Sequence, residues 1–248
     1  MKLMHILAAS VAVLASAACN AEKGADSTAV ASAPIKPIAA PNGGDWSETV
    51  GETPEGGFVM GNPNAPVKLV EYGSMTCPHC ADFQAAAEKQ LIEKYVKTGQ
   101  VSFEFRNFVR DPFDIAATLI ARCGGASSFF GLTRGLFAEQ KDWVGKLQKI
   151  PTEQQQALMG MPPQQQFATI AGHAGFPQWA AMRGVPSAKS AACLADQATV
   201  TKLVQMQSDA ISQYEVPGTP AFLINGSLVK DASNWELLEP KLRAAIGS

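Results

Sequence analysis

The chain has 248 residues, 46% of them apolar and 17% charged, which is enough for one or two domains and a sizeable core. The formal net charge of −2 excludes a globally basic surface for nucleic acid. No unbroken apolar run reaches roughly 18 residues, which argues against a conventional membrane-spanning helix.

The N-terminus has the marks of an export signal. Lys2 supplies a positive start, Ile6 to Leu14 a short apolar core, and Ala15-Ser16-Ala17 the small residues that a signal peptidase prefers. Residues 1–18 are therefore expected to be a signal peptide and the protein to be periplasmic, where disulfides persist. Ser16-Ala17-Ala18-Cys19 resembles the bacterial lipobox, with Ser where that pattern prefers Leu. Lipidation of Cys19 would anchor the protein to a membrane; ordinary cleavage after Ala17 or Ala21 is the alternative. Residues 19–55 are rich in Ala, Ser, Pro and Gly without hydrophobic periodicity, the composition of a disordered tether. Such a tether would reach roughly 30 Å.

The folded domain is expected over 56–248. Val67 to Tyr72 is a short apolar run that suits a buried strand. Pro78 suits the first position of a helix, which makes Cys77 its N-cap. Phe83, Ala87, Leu91 and Tyr95 then form one apolar face, and Gly99 stands where a C-capping glycine would. Val101, Phe103 and Phe105 alternate with Ser102, Glu104 and Arg106, as in a strand. Pro66 to Phe108 thus reads as a βαβ unit with two cysteines at its strand-to-helix junction. From Asp111 to Gln213 the chain is mainly helical, with the better segments at Ile115–Cys123, Phe129–Phe137 and Thr201–Tyr214. Strands return at Ala221–Ile224 and Ser227–Lys230, around the hairpin turn Asn225-Gly226. Ser233 and Glu236 suggest a capping box for a last helix, which Pro240 should kink or restart.

The chemistry concentrates at Cys77-Pro78-His79-Cys80. A sulfur at a helix N-cap lies near unpaired amides and the positive end of the helix dipole, which stabilise a thiolate. His79 adds a donor or a positive charge. Cys77 is therefore expected to be the nucleophile and good leaving group, and Cys80, one turn in, the less accessible resolving thiol. A zinc site would have to recruit His79 and His173 to these cysteines, and His79 lies between them in sequence; no metal is expected. A purely structural bridge would close too short a loop to restrain much chain. Redox exchange is the expected use, with no cofactor beyond the pair itself. Cys123 and Cys193 are left as a second pair, and Cys19 as the odd one.

The pattern resembles the DsbA-like branch of the thioredoxin superfamily over roughly residues 56–247. The resemblance rests on Cys77-Pro78-His79-Cys80 after a strand, on the helical stretch between two halves, on Thr219-Pro220 before a hairpin, and on Asn62-Pro63-Asn64-Ala65-Pro66-Val67. It implies an α/β thioredoxin-like fold with an inserted helical domain at about 111–213. It also implies a cis Pro220 beside the cysteine pair, substrate pairing with the backbone of Thr219, and proton transfer by Glu71 near the buried cysteine; a surface carboxylate at the strand end is the alternative for Glu71. Some relatives carry a second, non-catalytic disulfide, which here would join Cys123 to Cys193; two buried thiols are the alternative. The implied activity is oxidation of reduced, partly unfolded exported proteins, with a DsbB-type membrane protein as reoxidant. The familiar oxidases of this branch place Val before the cis-proline, whereas Thr, here Thr219, is found in isomerase relatives and in some other DsbA-like proteins. A reductase or isomerase is therefore the alternative activity, and a tethered peptide-binding or chaperone module the alternative class. With no folded dimerisation domain before Gly56, a monomer is expected.

Overall fold

The computed structural model describes residues 34–247; the expected signal peptide, Cys19 and the first part of the expected tether lie outside the described residues. Six strands form one mixed sheet: β1 (Val50–Glu52), β2 (Phe58–Gly61), β3 (Val67–Gly73), β4 (Val101–Asn107), β5 (Ala221–Ile224) and β6 (Ser227–Leu228). Their spatial order is β1-β2-β4-β3-β5-β6. Strands β3 and β4 are parallel, and every other pairing is antiparallel. The parallel pair is bridged by α1 (Pro78–Leu91), which continues through a wider π turn at Ile92–Val96.

Register explains the two faces. Val67, Leu69, Glu71 and Gly73 of β3 pair with Val101, Phe103, Phe105 and Asn107 of β4, so Glu71 sits on a face that is apolar but for Asn107 at its end. That face packs against Phe83, Ala87 and Leu91 of α1 and against Trp235, Leu238 and Leu242 of the last helix, α10 (Trp235–Ile246). The opposite face carries Val70, Tyr72, Ala221 and Leu223 and packs against Ala210 and Val216.

Between β4 and β5 lie eight helices: α2 (Pro112–Arg122), α3 (Ala126–Ala138), α4 (Gln140–Gln148), α5 (Thr152–Met159), α6 (Pro163–Ala174), α7 (Phe176–Ala181), α8 (Ser187–Leu194) and α9 (Gln197–Tyr214). This is the inserted helical domain on a thioredoxin-like α/β frame. Cys123, just past α2, is bonded to Cys193 in α8, across 70 residues. Among the described residues no helix is long and apolar enough to cross a membrane.

Several local expectations change. The tether expected through residue 55 is ordered within the described residues. The N–H of Ile35 donates to the carbonyl of Ile246, Trp46 is buried with its indole N–H on the carbonyl of Ile38, and β1 pairs with β2. Low hydrophobic periodicity hid this segment because one tryptophan and backbone hydrogen bonds hold it, not an amphipathic face. The alternating strand forms as expected, and its polar residues Ser102, Glu104 and Arg106 are buried as well. The bond network is closed: Arg106 donates to both oxygens of Glu104 at 2.7 and 3.0 Å and to the hydroxyl of Tyr72 at 3.2 Å. The N-cap of α10 is Asn234, not Ser233; its side chain accepts from the N–H of Leu237 at 3.0 Å. Pro240 lies inside α10 without dividing it, and β6 ends at Leu228 rather than Lys230.

Candidate active site

Cys77 is the N-cap of α1, with extended backbone, and Pro78 takes the first helical position. The placement follows from residue types: proline has no N–H to lose there and its fixed φ starts the helix. One turn later Cys80 points into the core and is fully buried. Both are free thiols. The peptide bond between Thr219 and Pro220 is cis, and the thiol of Cys77 donates to the carbonyl oxygen of Thr219 at 3.2 Å. Antiparallel pairing of β5 with β3, Ala221 opposite Tyr72, sets this approach, and the turn Asn225-Gly226, with φ of 50° and 82°, brings β6 back beside β5.

The two thiols ionise in opposite directions. Cys77 is pulled down from an ordinary 9.0 to about 5, chiefly by hydrogen bonding from the Cys80 side chain. The side chain of Thr219 and the backbone N–H groups of Cys80 and His79 add to this, against the opposing effect of burial. Cys80 is pushed well above 9.0, first by burial and then by its bond to Cys77 and the charge of Glu71. Glu71 is itself fully buried, and neither carboxylate oxygen has a hydrogen-bond partner. Burial, then the negative charge of Cys77, raises it from 4.5 to about 8. Around neutral pH the arrangement therefore holds a thiolate at Cys77, a thiol at Cys80 and a protonated acid at Glu71.

Beside the pair opens a cavity of about 540 Å³ lined by His79, Phe83, Thr219, Pro220 and Trp235. His79 is exposed at its rim. Of the residues singled out in sequence, Cys77, Cys80, Pro78, His79, Glu71, Thr219 and Pro220 converge here. The Cys123–Cys193 bridge belongs to the helical domain instead. Among the described residues, no group of three or more His, Cys, Asp or Glu side chains is placed to hold a metal ion.

Two residues at the site escaped sequence reasoning. Buried Asp114 of α2 accepts from the Ser74 hydroxyl at 2.5 Å and from the N–H groups of Met75 at 2.8 Å and Arg110 at 3.0 Å. Burial raises Asp114 from 3.8 to about 7, against those bonds. Buried Gln140 of α4 donates to the carbonyls of Met75 at 2.7 Å and Cys77 at 2.9 Å. In sequence Asp114 is one of several first-turn acids, and Gln140 one glutamine among many.

Residues 53–243 match the profile of a family described as Thioredoxin. A protein from Rickettsia bellii named "Putative protein-disulfide oxidoreductase" is 27% identical over 172 residues, covering 69% of this chain and 58% of its own length. A second relative of that name, from Rickettsia felis, is matched over 53% of its length, so the chain spans little more than half of these relatives. Among solved structures, a protein-disulfide isomerase from Novosphingobium aromaticivorans superposes with a TM-score of 0.74 at 36% identity, covering 77% of this chain and 97% of that one. Alpha-DsbA1 from Wolbachia pipientis, at 24% identity and a TM-score of 0.54 over 73% of this chain and 79% of its own, shares the fold.

Proposed function

The chain belongs to the thioredoxin family, and from that premise we propose that it is a DsbA-like, exported thiol:disulfide oxidoreductase that donates a Cys77–Cys80 disulfide to reduced substrate proteins. The observation that carries this reading is the geometry of the pair: Cys77 at the N-cap of α1 beside Thr219 and the cis peptide of Pro220, and Cys80 buried one helical turn in, an arrangement that pulls the first thiol down and pushes the second up. A good leaving thiolate favours the reduced form of the protein, and that makes its disulfide oxidising.

The steps balance. A substrate thiolate attacks Cys77, the bond between the two cysteines breaks, and its electron pair leaves on Cys80. Protonated Glu71, in the same dry compartment, supplies the proton Cys80 needs and is refilled from solvent. A second substrate thiolate attacks the substrate sulfur of the mixed disulfide and expels Cys77 as thiolate. The substrate loses two electrons and gains a disulfide; the protein keeps them as a dithiol. The backbone of Thr219 and the cavity beside Pro220 would hold the substrate chain. A DsbB-type membrane partner would restore the disulfide. The reading takes the protein as monomeric and leaves Cys19 as the residue that would tie it to a membrane.

A second reading has its own support. Thr219 precedes the cis-proline, and the 36% identical structure is named a protein-disulfide isomerase. The equilibrium of Cys77 and Cys80 with glutathione buffers separates the two, with Cys123 and Cys193 followed independently. A potential of about −120 mV supports disulfide donation. A potential of about −180 mV, together with repair of scrambled disulfides, supports isomerisation. A potential of about −270 mV would make the protein a reductase and sink both.

A further inference from the structure

The loop Ser74 to Thr76, which delivers Cys77 to the helix N-terminus, is held from the helical insertion and not only from the sheet it leaves. Asp114 holds its first half through Ser74 and Met75. Gln140, at the first position of α4, holds its second half. One amide nitrogen reaches two carbonyls, those of Met75 and Cys77, at 2.7 and 2.9 Å. Gln140 is only 5% exposed, so neither carbonyl can exchange this donor freely for water. The carbonyl of Cys77 is otherwise paired by the first bond of α1, from the N–H of Ala81 at 3.3 Å.

We propose that Gln140 is a positioning residue for thiol–disulfide exchange. By pinning the carbonyl of Cys77, it fixes the N-cap conformation that holds the Cys77 sulfur at the N-terminus of α1 and beside Thr219. The proposal rests on the reading of Cys77 as the exchanging thiol. Gln140 touches neither sulfur and acts through the backbone. Its physical basis is directional: thiolate-stabilising bonds weaken steeply when the donor angle opens, so rotation of the N-cap residue raises the thiol pKa. Each unit of that rise moves the exchange equilibrium about tenfold toward the oxidised protein.

Gln140→Met keeps length and removes both bonds. Gln140→Asn keeps the amide and withdraws it by one methylene. Wild type and both variants are titrated in the reduced state by thiolate absorbance, equilibrated with glutathione, and denatured in both redox states. The expected result is a Cys77 midpoint raised by at least about one unit in Gln140→Met and by less in Gln140→Asn, with a matching shift of the glutathione equilibrium of about tenfold per unit. Folded variants that keep the wild-type midpoint and equilibrium overturn the proposal, even if both redox forms lose stability equally. So does failure of both variants to fold, which would make Gln140 a structural residue. A wild-type protein that exchanges no disulfide with glutathione defeats the functional reading instead, and that outcome is distinct from either.

Discussion

The sulfur of Cys77 lies 3.2 Å from the carbonyl oxygen of Thr219, a residue 142 positions further along the chain. The contact joins the βαβ half of the domain to the hairpin half, across the whole helical insertion. Under the proposed function it places the exchanging thiol beside the backbone proposed to pair with substrate, so chemistry and recognition would share an edge.

The ionisation of Cys77 ties stability to pH in the reduced protein alone. Its pKa falls from 9.0 unfolded to about 5 folded. Between these values the unfolded chain binds more protons, so the contribution grows as pH rises and is lost as pH falls through 5. Oxidised protein has no such group. The stability of the reduced form relative to the oxidised form should therefore widen by a few kcal/mol from pH 5 to pH 8. Paired denaturation of the two forms tests this; a gap that narrows with pH would refute the ionisation of Cys77 described here.

Glu71 acts with the opposite sign. Its pKa rises from 4.5 to about 8, so the folded state binds the extra proton and stability falls as pH climbs through that window. Glu71→Gln keeps the shape and removes the charge. It should match wild type near pH 4 and exceed it by a few kcal/mol at pH 9. Resolution of a trapped mixed disulfide by Cys80 should slow in the same variant, read by quenched-flow trapping. A variant no more stable than wild type at high pH would place the carboxylate in a wetter setting than the fold gives it.

The Cys123–Cys193 bond closes a loop across 70 residues of the helical domain. Replacing both with Ala should lower stability by about 4 kcal/mol. The Cys77 titration should stay unchanged, because the bridge does not touch the site. Urea denaturation and thiolate absorbance of the double variant provide the two readouts, and a shifted titration would show that the bridge conditions the active thiol.

Two glycines separate space from conformation. A Cβ at Gly73 would sit 2.5 Å from the Phe105 ring and 3.2 Å from Glu71 Oε1, so Gly73→Ala should destabilise by about 1–3 kcal/mol. Gly145, inside α4, has nothing within 4 Å of such a Cβ, so Gly145→Ala should stabilise by up to about 1 kcal/mol. Equal effects in thermal denaturation would contradict this packing at the end of β3.

What was legible in the sequence was local. Cys77 and Pro78 carry a cap signal that no tertiary contact has to supply, and α1 begins where they place it. Asn225-Gly226 closes the hairpin by backbone preference alone. The shift of the α10 cap from Ser233 to Asn234 is a choice between two adjacent good capping residues, which composition cannot rank. The burial of Glu104 and Arg106 was illegible for another reason. Alternation reports one apolar face, and only the tertiary packing of the Thr53–Gly57 segment and α9 against β4 reveals that its polar face is covered too. Asp114 and Gln140 lie 39 and 65 residues from Met75, the residue they grip, and no short-range pattern encodes such a reach.

The ordered N-terminal segment bears on how this protein can be shortened. Gly99 adopts a φ of 71°, and a side chain there would run into the carbonyl of Ile38 and the indole of Trp46. The segment is thus fitted to the domain, not draped over it. A chain begun at Gly56 would lose Trp46 and β1 and leave β2 as an open sheet edge, its hydrogen-bonding groups bare. Open edges template pairing between molecules. For expression, the domain begins before Ile35, and a shorter piece invites aggregation through the strand that β1 keeps covered.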